Sequence, residues 1–215
     1  MNKDEASAVE ITDEEGSMLV RLAREAIEKH LTEKRTVKTP AGLDEKFYRK
    51  MGVFVTLNIH SHLGAGGGEL RGCIGQPLPE RPLLEALIDS AISAAVHDPR
   101  FEKVKPEELD SLVVEISVLT PPQLITVKNP NEYCNHIHIG EDGLIVRWSF
   151  GAGLLLPQVA VEYDWSTEDF LCHCCMKAGA TPDHWLTQDA QIYKFQAIVF
   201  DETEPHGQVV RRTLE

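Results

Sequence analysis

The chain has 215 residues, 42% hydrophobic and 26% charged, with 34 acidic against 21 basic side chains and a formal net charge of −13. That length holds one large domain or two small ones closely joined, and the acidic balance excludes long-range attraction to nucleic acid or anionic membranes unless Lys and Arg cluster, which they do not. The start, MNKDEASAVEITDEE, lacks the apolar core of a secretory signal, and no apolar run reaches the length of a membrane span, so neither nucleic acid nor membrane is an expected partner.

In chain order, Leu19, Val20, Leu22, Ala23, Ala26, Ile27 and Leu31 recur at helical spacing and predict an amphipathic helix over residues 13–34, capped by Thr12 or Asp13. TVKTPAGLDEKFYRKM reads as a loop, GVFVTLNIH as a strand, LGAGGGE as a flexible hairpin tip and LRGCIGQ as the returning strand. The tip's GAGGG lacks the Lys-Ser/Thr of a phosphate loop and does not open a helix, so no phosphate site is expected there. Pro79 and Pro82 bracket the start of a helix through LLEALIDSAISAAV, which Pro99 ends; a helical turn at KPEEL and the strand SLVVEISVLT follow.

The second half reads the same way. HIHIG and GLIVRWSF flank an EDG turn, LLLPQVAVEY reads as a short helix, TEDFLCHCCMKAG as a helix between Ser166 and Gly179, and AQIYKFQAIVFDE as a closing strand. The chain is thus two β-β-α-α-β units, about 52–119 and 136–202, an α+β architecture with helices on one face of a largely antiparallel sheet. Residues 1–12 and 206–215 are expected to be tails. Five cysteines, an odd number and bunched, read as the reduced thiols of a cytoplasmic protein.

LRGCIG at 70–75 sets a cation and a thiol between glycines. Strand alternation puts Leu70, Gly72 and Ile74 on the core face and Arg71, Cys73 and Gly75 on the other, with Arg71 about 7 Å from Cys73 along the strand. An arginine so placed favours the thiolate and lowers the cysteine pKa. Gly72 and Gly75 clear space for a ligand or another backbone. Against this stands the ordinary behaviour of cysteine as a small buried hydrophobe.

LRGCIG, together with DPRF at 98–101, VEISVLTPP at 114–122, GLLLPQVAVE at 153–162 and KAG at 177–179 followed by Trp185, resembles the AMMECR1 family over about residues 14–205. The resemblance implies two β3-α2 repeats forming one barrel-like, largely antiparallel sheet with flanking helices. It implies no established biochemical activity, and a pathway shared with Memo-like and radical-SAM proteins. It also marks Leu70, Arg71, Gly72, Cys73, Ile74 and Gly75 as the suspected functional site, with Asp98 and Arg100 in the second motif.

Three further groups compete for a role. Glu115, in an otherwise apolar strand, either orients Arg71 or acts as a base, or else lies on a solvent face. His97 is a possible base for Cys73, but the resemblance begins at Asp98 and not before it. Cys172, His173, Cys174 and Cys175 contain one C-x-x-C, and no second pair exists to complete a zinc site unless Cys134, His136 and His138 supply it, so neither metal nor other cofactor is expected. The expected function is an enzyme or enzyme subunit. Cys73, Arg71 and Glu115 would carry its chemistry on a small molecule or modified group, and Leu70, Gly72, Ile74, Gly75, Asp98 and Arg100 would shape the binding site. The alternative is a non-catalytic module that uses the LRGCIG face as a docking groove.

Overall fold

A computed structural model describes residues 10–60 and 68–212; most of the expected LGAGGGE hairpin tip and the outermost parts of both tails lie outside the described residues. The chain divides into two compact units, one of residues 10–119 with 198–212 and the other of residues 120–197. The first unit is discontinuous in sequence.

In the first unit, helix α1 (Asp13–Glu33) begins in a capping box, with Thr12 and Glu15 each bonding the other's backbone N–H, and ends at Lys34 in the left-handed region. Its apolar stripe packs with helix α2 (Leu83–Val96) on strands β1 (Gly52–Ile59), β2 (Glu69–Gln76) and β3 (Leu112–Leu119). The stretch expected as a loop before β1 contains a 3-10 turn at Glu45–Tyr48 that buries Phe47. Residues 209–212, expected within a tail, form strand β8 (Val209–Arg212) on the end of strand β7 (Gln191–Glu202). Within this unit the strand order is β2-β1-β3-β7-β8.

Val53, Val55, Leu57, Leu112, Val114, Ile116, Val118 and Phe200 form the buried part of the sheet's contribution to the core. Arg24 on α1 enters that core as a charge. Its Nε donates to Glu202 Oε1 at 2.6 Å and its Nη2 donates to the Leu112 carbonyl at 2.6 Å, while Glu202 Oε2 accepts from the Val114 N–H at 2.9 Å. Both side chains are almost wholly buried. The pair survives burial because each charge also satisfies backbone groups of β3, which lashes α1, β3 and β7 together.

In the second unit, the strand order is β4 (Gln123–Leu124), β7, β5 (Asp142–Trp148), β6 (Gly151–Leu155), all antiparallel. Helices α3 (Pro157–Glu162) and α4 (Thr167–Lys177) follow, α4 starting from a Ser166 capping box and stopping before Gly179 at φ 76°. Two expectations are corrected here. HIHIG is not a strand: Asp142 accepts from the His138 N–H at 2.9 Å and from Lys194 Nζ at 3.2 Å, and this local bonding folds residues 136–141 into turns. The hairpin is instead β5–β6, turning at Ser149 and Phe150. LLLPQVAVEY is not one helix, because its first leucines end β6 and Pro157 then opens α3, where a missing N–H costs nothing. The protein is therefore α+β, as expected, with antiparallel strand pairing.

The buried pair yields a stability prediction. Arg24→Met or Glu202→Gln alone leaves one charge or its backbone partners uncompensated and costs about 3–5 kcal/mol in urea melts, whereas the double replacement costs less than the sum of the two. Strictly additive losses would show that the pair is not coupled.

Candidate functional site

The site begins with a bulge. Thr56 pairs with Cys73 and Leu57 with Gly72, but Asn58 pairs with Leu70, so Arg71 is the extra residue in β2. The bulge breaks the alternation on which the expected faces rested. Residues paired across a sheet point to the same side, so Leu70 joins Asn58, Thr56 and Cys73 on the face turned away from α1 and α2. Ile74 stays on the core side. Arg71 does not share the Cys73 face. Its Nε and Nη2 donate to Glu108 at 2.9 and 3.2 Å, and its Nη1 donates to the Glu102 carbonyl at 2.8 Å. The expected Arg71–Glu115 pair is likewise corrected: Arg71 binds Glu108, and Glu115 accepts from Arg212 Nη1 at 2.8 Å.

The glycines serve packing. A Cβ on Gly72 would stand 2.2 Å from the Ala94 carbonyl oxygen of α2, and one on Gly75 would stand 2.4 Å from the Phe54 ring. The helix backbone and a neighbouring side chain fill the room expected for a ligand.

β2 ends the strand order on one side, and DPRF closes that edge at Cys73. The Cys73 N–H donates to Asp98 Oδ2 at 2.8 Å, and Arg100 Nη2 donates to the Cys73 carbonyl at 3.3 Å. Asp98 also holds Arg100, accepting from its Nε at 3.0 Å, its Nη2 at 2.7 Å and its backbone N–H at 3.1 Å. Those bonds, first from the Arg100 side chain and then from the two backbone N–H groups, outweigh burial and hold the Asp98 carboxyl far below the usual carboxylate range.

The Cys73 side chain faces the other way. Thr56 Oγ1 donates to its Sγ at 3.3 Å, and the same Thr56 lies opposite Glu115 on β3. A thiol, a hydroxyl and a carboxylate thus form one row across β2, β1 and β3. Burial pushes the Cys73 thiol pKa up; the Thr56 hydrogen bond and the Arg100 charge oppose this, while Glu115 and Asp98 reinforce it. The expected lowering by Arg71 is corrected, because that cation is spent on Glu108. Asp201 on β7 lies on the same side as this row, since its neighbours Phe200 and Glu202 point into the α1 side. Burial pushes the Asp201 carboxyl up, and nearby Arg212 opposes the shift.

Sequence reasoning missed Thr56, Glu108, Arg212 and Asp201. Thr56 carried a signal, as the polar residue inside the apolar run VFVTL; Arg212 carried none, lying in an apparent tail. His97 ends α2, with its backbone N–H on the Ser93 carbonyl. Cys174 and Cys175 are buried in the second unit's core, with thiols pushed by burial to about 12 and about 11, and His173 stacks on Trp165 at 3.9 Å. Among the described residues, no group of three or more His, Cys, Asp or Glu could hold a metal, and no helix is long and apolar enough to cross a membrane.

An α+β protein whose two most distinctive motifs meet at one strand edge is a defined class, and comparison with known proteins gives its family. The AMMECR1 profile matches residues 20–200, and the chain belongs to the AMMECR1 family. It is 50% identical to Protein MJ0810 of Methanocaldococcus jannaschii over 95% of this chain and 98% of that protein. It is 52% identical to Protein PF1979 of Pyrococcus furiosus over 95% of this chain and 96% of that protein. The crystal structure of uncharacterized protein PH0010 from Pyrococcus horikoshii superposes with a TM-score of 0.86 at 50% identity, covering 95% of this chain and 99% of that one.

Two outcomes are expected at the site. Peptide-mapped iodoacetamide labelling of Cys73 is slow at neutral pH and accelerates as pH rises past the ordinary thiol value; Arg71→Met leaves this profile unchanged, and Arg100→Met moves it higher still. A slower Cys73 in Arg71→Met alone would restore Arg71 as the activating cation. Asp98→Asn costs about 2 kcal/mol at neutral pH, since it leaves the Cys73 N–H and Arg100 poorly matched. Because the folded carboxyl sits below its unfolded value, the contribution of Asp98 is complete above roughly pH 4 and fades as pH falls further, so acid melts of wild type and Asp98→Asn converge at low pH.

Proposed function

We propose that the protein is an enzyme, or a subunit of one, that acts on a small molecule or a modified peptide group at the face carrying Cys73, Thr56, Glu115 and Arg212. The observation that supports this most is the register: Thr56 lies opposite both Cys73 and Glu115, so a thiol and a carboxylate flank one hydroxyl on a single face. The chemistry best suited to the row is proton transfer by a neutral thiol and a carboxylate, not attack by a thiolate, because burial favours the protonated sulfur. Glu115, held by Arg212, is the candidate base. Leu70 borders the row, and Asp98 and Arg100 act on it by fixing the Cys73 backbone.

A second reading, a docking module without chemistry, draws support from the same clamp, which makes LRGCIG and DPRF a structural unit in their own right. In either case the partners we propose are Memo-like and radical-SAM proteins, in the reducing cytoplasm that a bunched, odd set of cysteines suits.

The test is to incubate purified protein with a small-molecule cell extract and to follow every mass that is depleted, formed or retained. Wild type is expected to change at least one metabolite that Cys73→Ala and Glu115→Gln, verified as folded by circular dichroism, leave unchanged. Identical profiles for all three proteins would end the enzymatic reading and leave the docking one.

A further inference from the structure

Asp201 is a buried carboxylate that neither the fold nor the reading above accounts for. It is 4% exposed, and its Oδ1 is buried without a hydrogen-bond partner. Other buried carboxylates of the first unit are engaged: Glu202 by Arg24 and the Val114 N–H, Asp98 by Arg100 and the Cys73 N–H, Glu115 by Arg212. A buried carboxylate oxygen left unmatched costs folding free energy and marks a place where a donor belongs.

The nearest cation does not fill that place. Arg212 lies close enough to act on Asp201 electrostatically, but its Nη1 is 2.8 Å from Glu115 Oε2. Its side chain remains 40% exposed, so Arg212 stands where this face meets solvent. Asp201 sits on β7, next to β3 in the strand order, and on the same side as Glu115.

We infer that Asp201 is a recognition point of the Cys73–Glu115 face and that the ligand it receives carries a protonated amine. This rests on the reading of that face as a small-molecule site and names the ligand's chemical class. An ammonium group brings both things the Oδ1 atom lacks, a positive charge and an N–H to donate. A hydroxyl or amide would supply only the hydrogen bond, and a metal ion would require more ligands than the carboxylates here provide. The amine end would sit against Asp201, the row of Glu115, Thr56 and Cys73 would face the adjoining part of the ligand, and Arg212 would hold Glu115 in place beside it.

The experiment is a titration of ¹⁵N-labelled full-length protein with propylammonium chloride, followed by amide chemical shifts. Tetramethylammonium chloride supplies charge without N–H donors, and propionamide supplies N–H donors without charge. Propylammonium is expected to produce saturable shifts at Asp201, Glu115 and Arg212 that neither control reproduces. Asp201→Asn should weaken that binding roughly tenfold, the usual cost of losing a charged hydrogen bond. Arg212→Met, which removes the competing cation, should tighten it. Equal responses to the three probes, or equal affinities in wild type and both variants, would overturn the inference. If amine binding fails while the metabolite changes still depend on Cys73, only the ligand class is wrong. If amine binding succeeds while those changes are absent, the binding point stands and the catalytic reading falls.

Discussion

The carboxylate of Asp98 occupies the position that another strand would take beside β2. It accepts the Cys73 N–H, and the arginine it holds returns a donor to the Cys73 carbonyl, so the strand's open edge is answered at the residue that carries the thiol. Exposed strand edges invite pairing with other chains, and charged side chains that blunt them are a common defence. Here the defence also fixes geometry. With both backbone groups of Cys73 spoken for and Gly72 pressed against α2, the side chain has one direction left, toward Thr56.

That arrangement decides which protonation state of the thiol matters. A cation close to sulfur in water-accessible surroundings would favour the thiolate, but desolvation acts in the opposite sense and is the largest influence on Cys73. Arg100, the cation that does act on it, is committed to Asp98, and the negative charges of Glu115 and Asp98 oppose its effect. Placing the arginine of the signature on Glu108 instead of beside the sulfur is therefore consistent with a site that keeps its cysteine neutral. The acids of the face differ in their partners: Glu115 has a cation at hydrogen-bond distance, and the buried Asp201 Oδ1 has none.

Much of the framework was legible from local chemistry. The Thr12 capping box, the apolar stripe of α1, the Ser166 cap of α4, the Gly179 stop and the β character of GVFVTLNI all depend on neighbouring residues and read correctly. The site was legible as a place but not as a geometry. Alternation along LRGCIG assumes a regular strand, and the strand is instead bulged at Arg71, next to the close approach of Gly72 to α2. The choice of Glu108 over Glu115 as partner for Arg71 depends on how the 3-10 turn at Pro106–Ser111 folds back, which no spacing rule encodes. HIHIG has strand composition, yet one buried aspartate four residues beyond His138 turns it into a loop.

The division of the chain has a consequence for how the protein is made. Residues 120–197 lie between the two parts of the first unit, whose sheet gains the end of β7 and all of β8 only at the C-terminus. On the ribosome, α1 must therefore wait for almost the entire polypeptide before Glu202 arrives to neutralise Arg24, while the inserted unit has every one of its own strands at hand earlier. Folding of residues 120–197 before the first unit's sheet is complete is the order that this sequence division favours. A boundary drawn after residue 205 would release a chain that still holds LRGCIG and DPRF but has lost Arg212, the clasp on Glu115, and Arg211, whose Nε reaches Asp13 at the start of α1 at 3.0 Å.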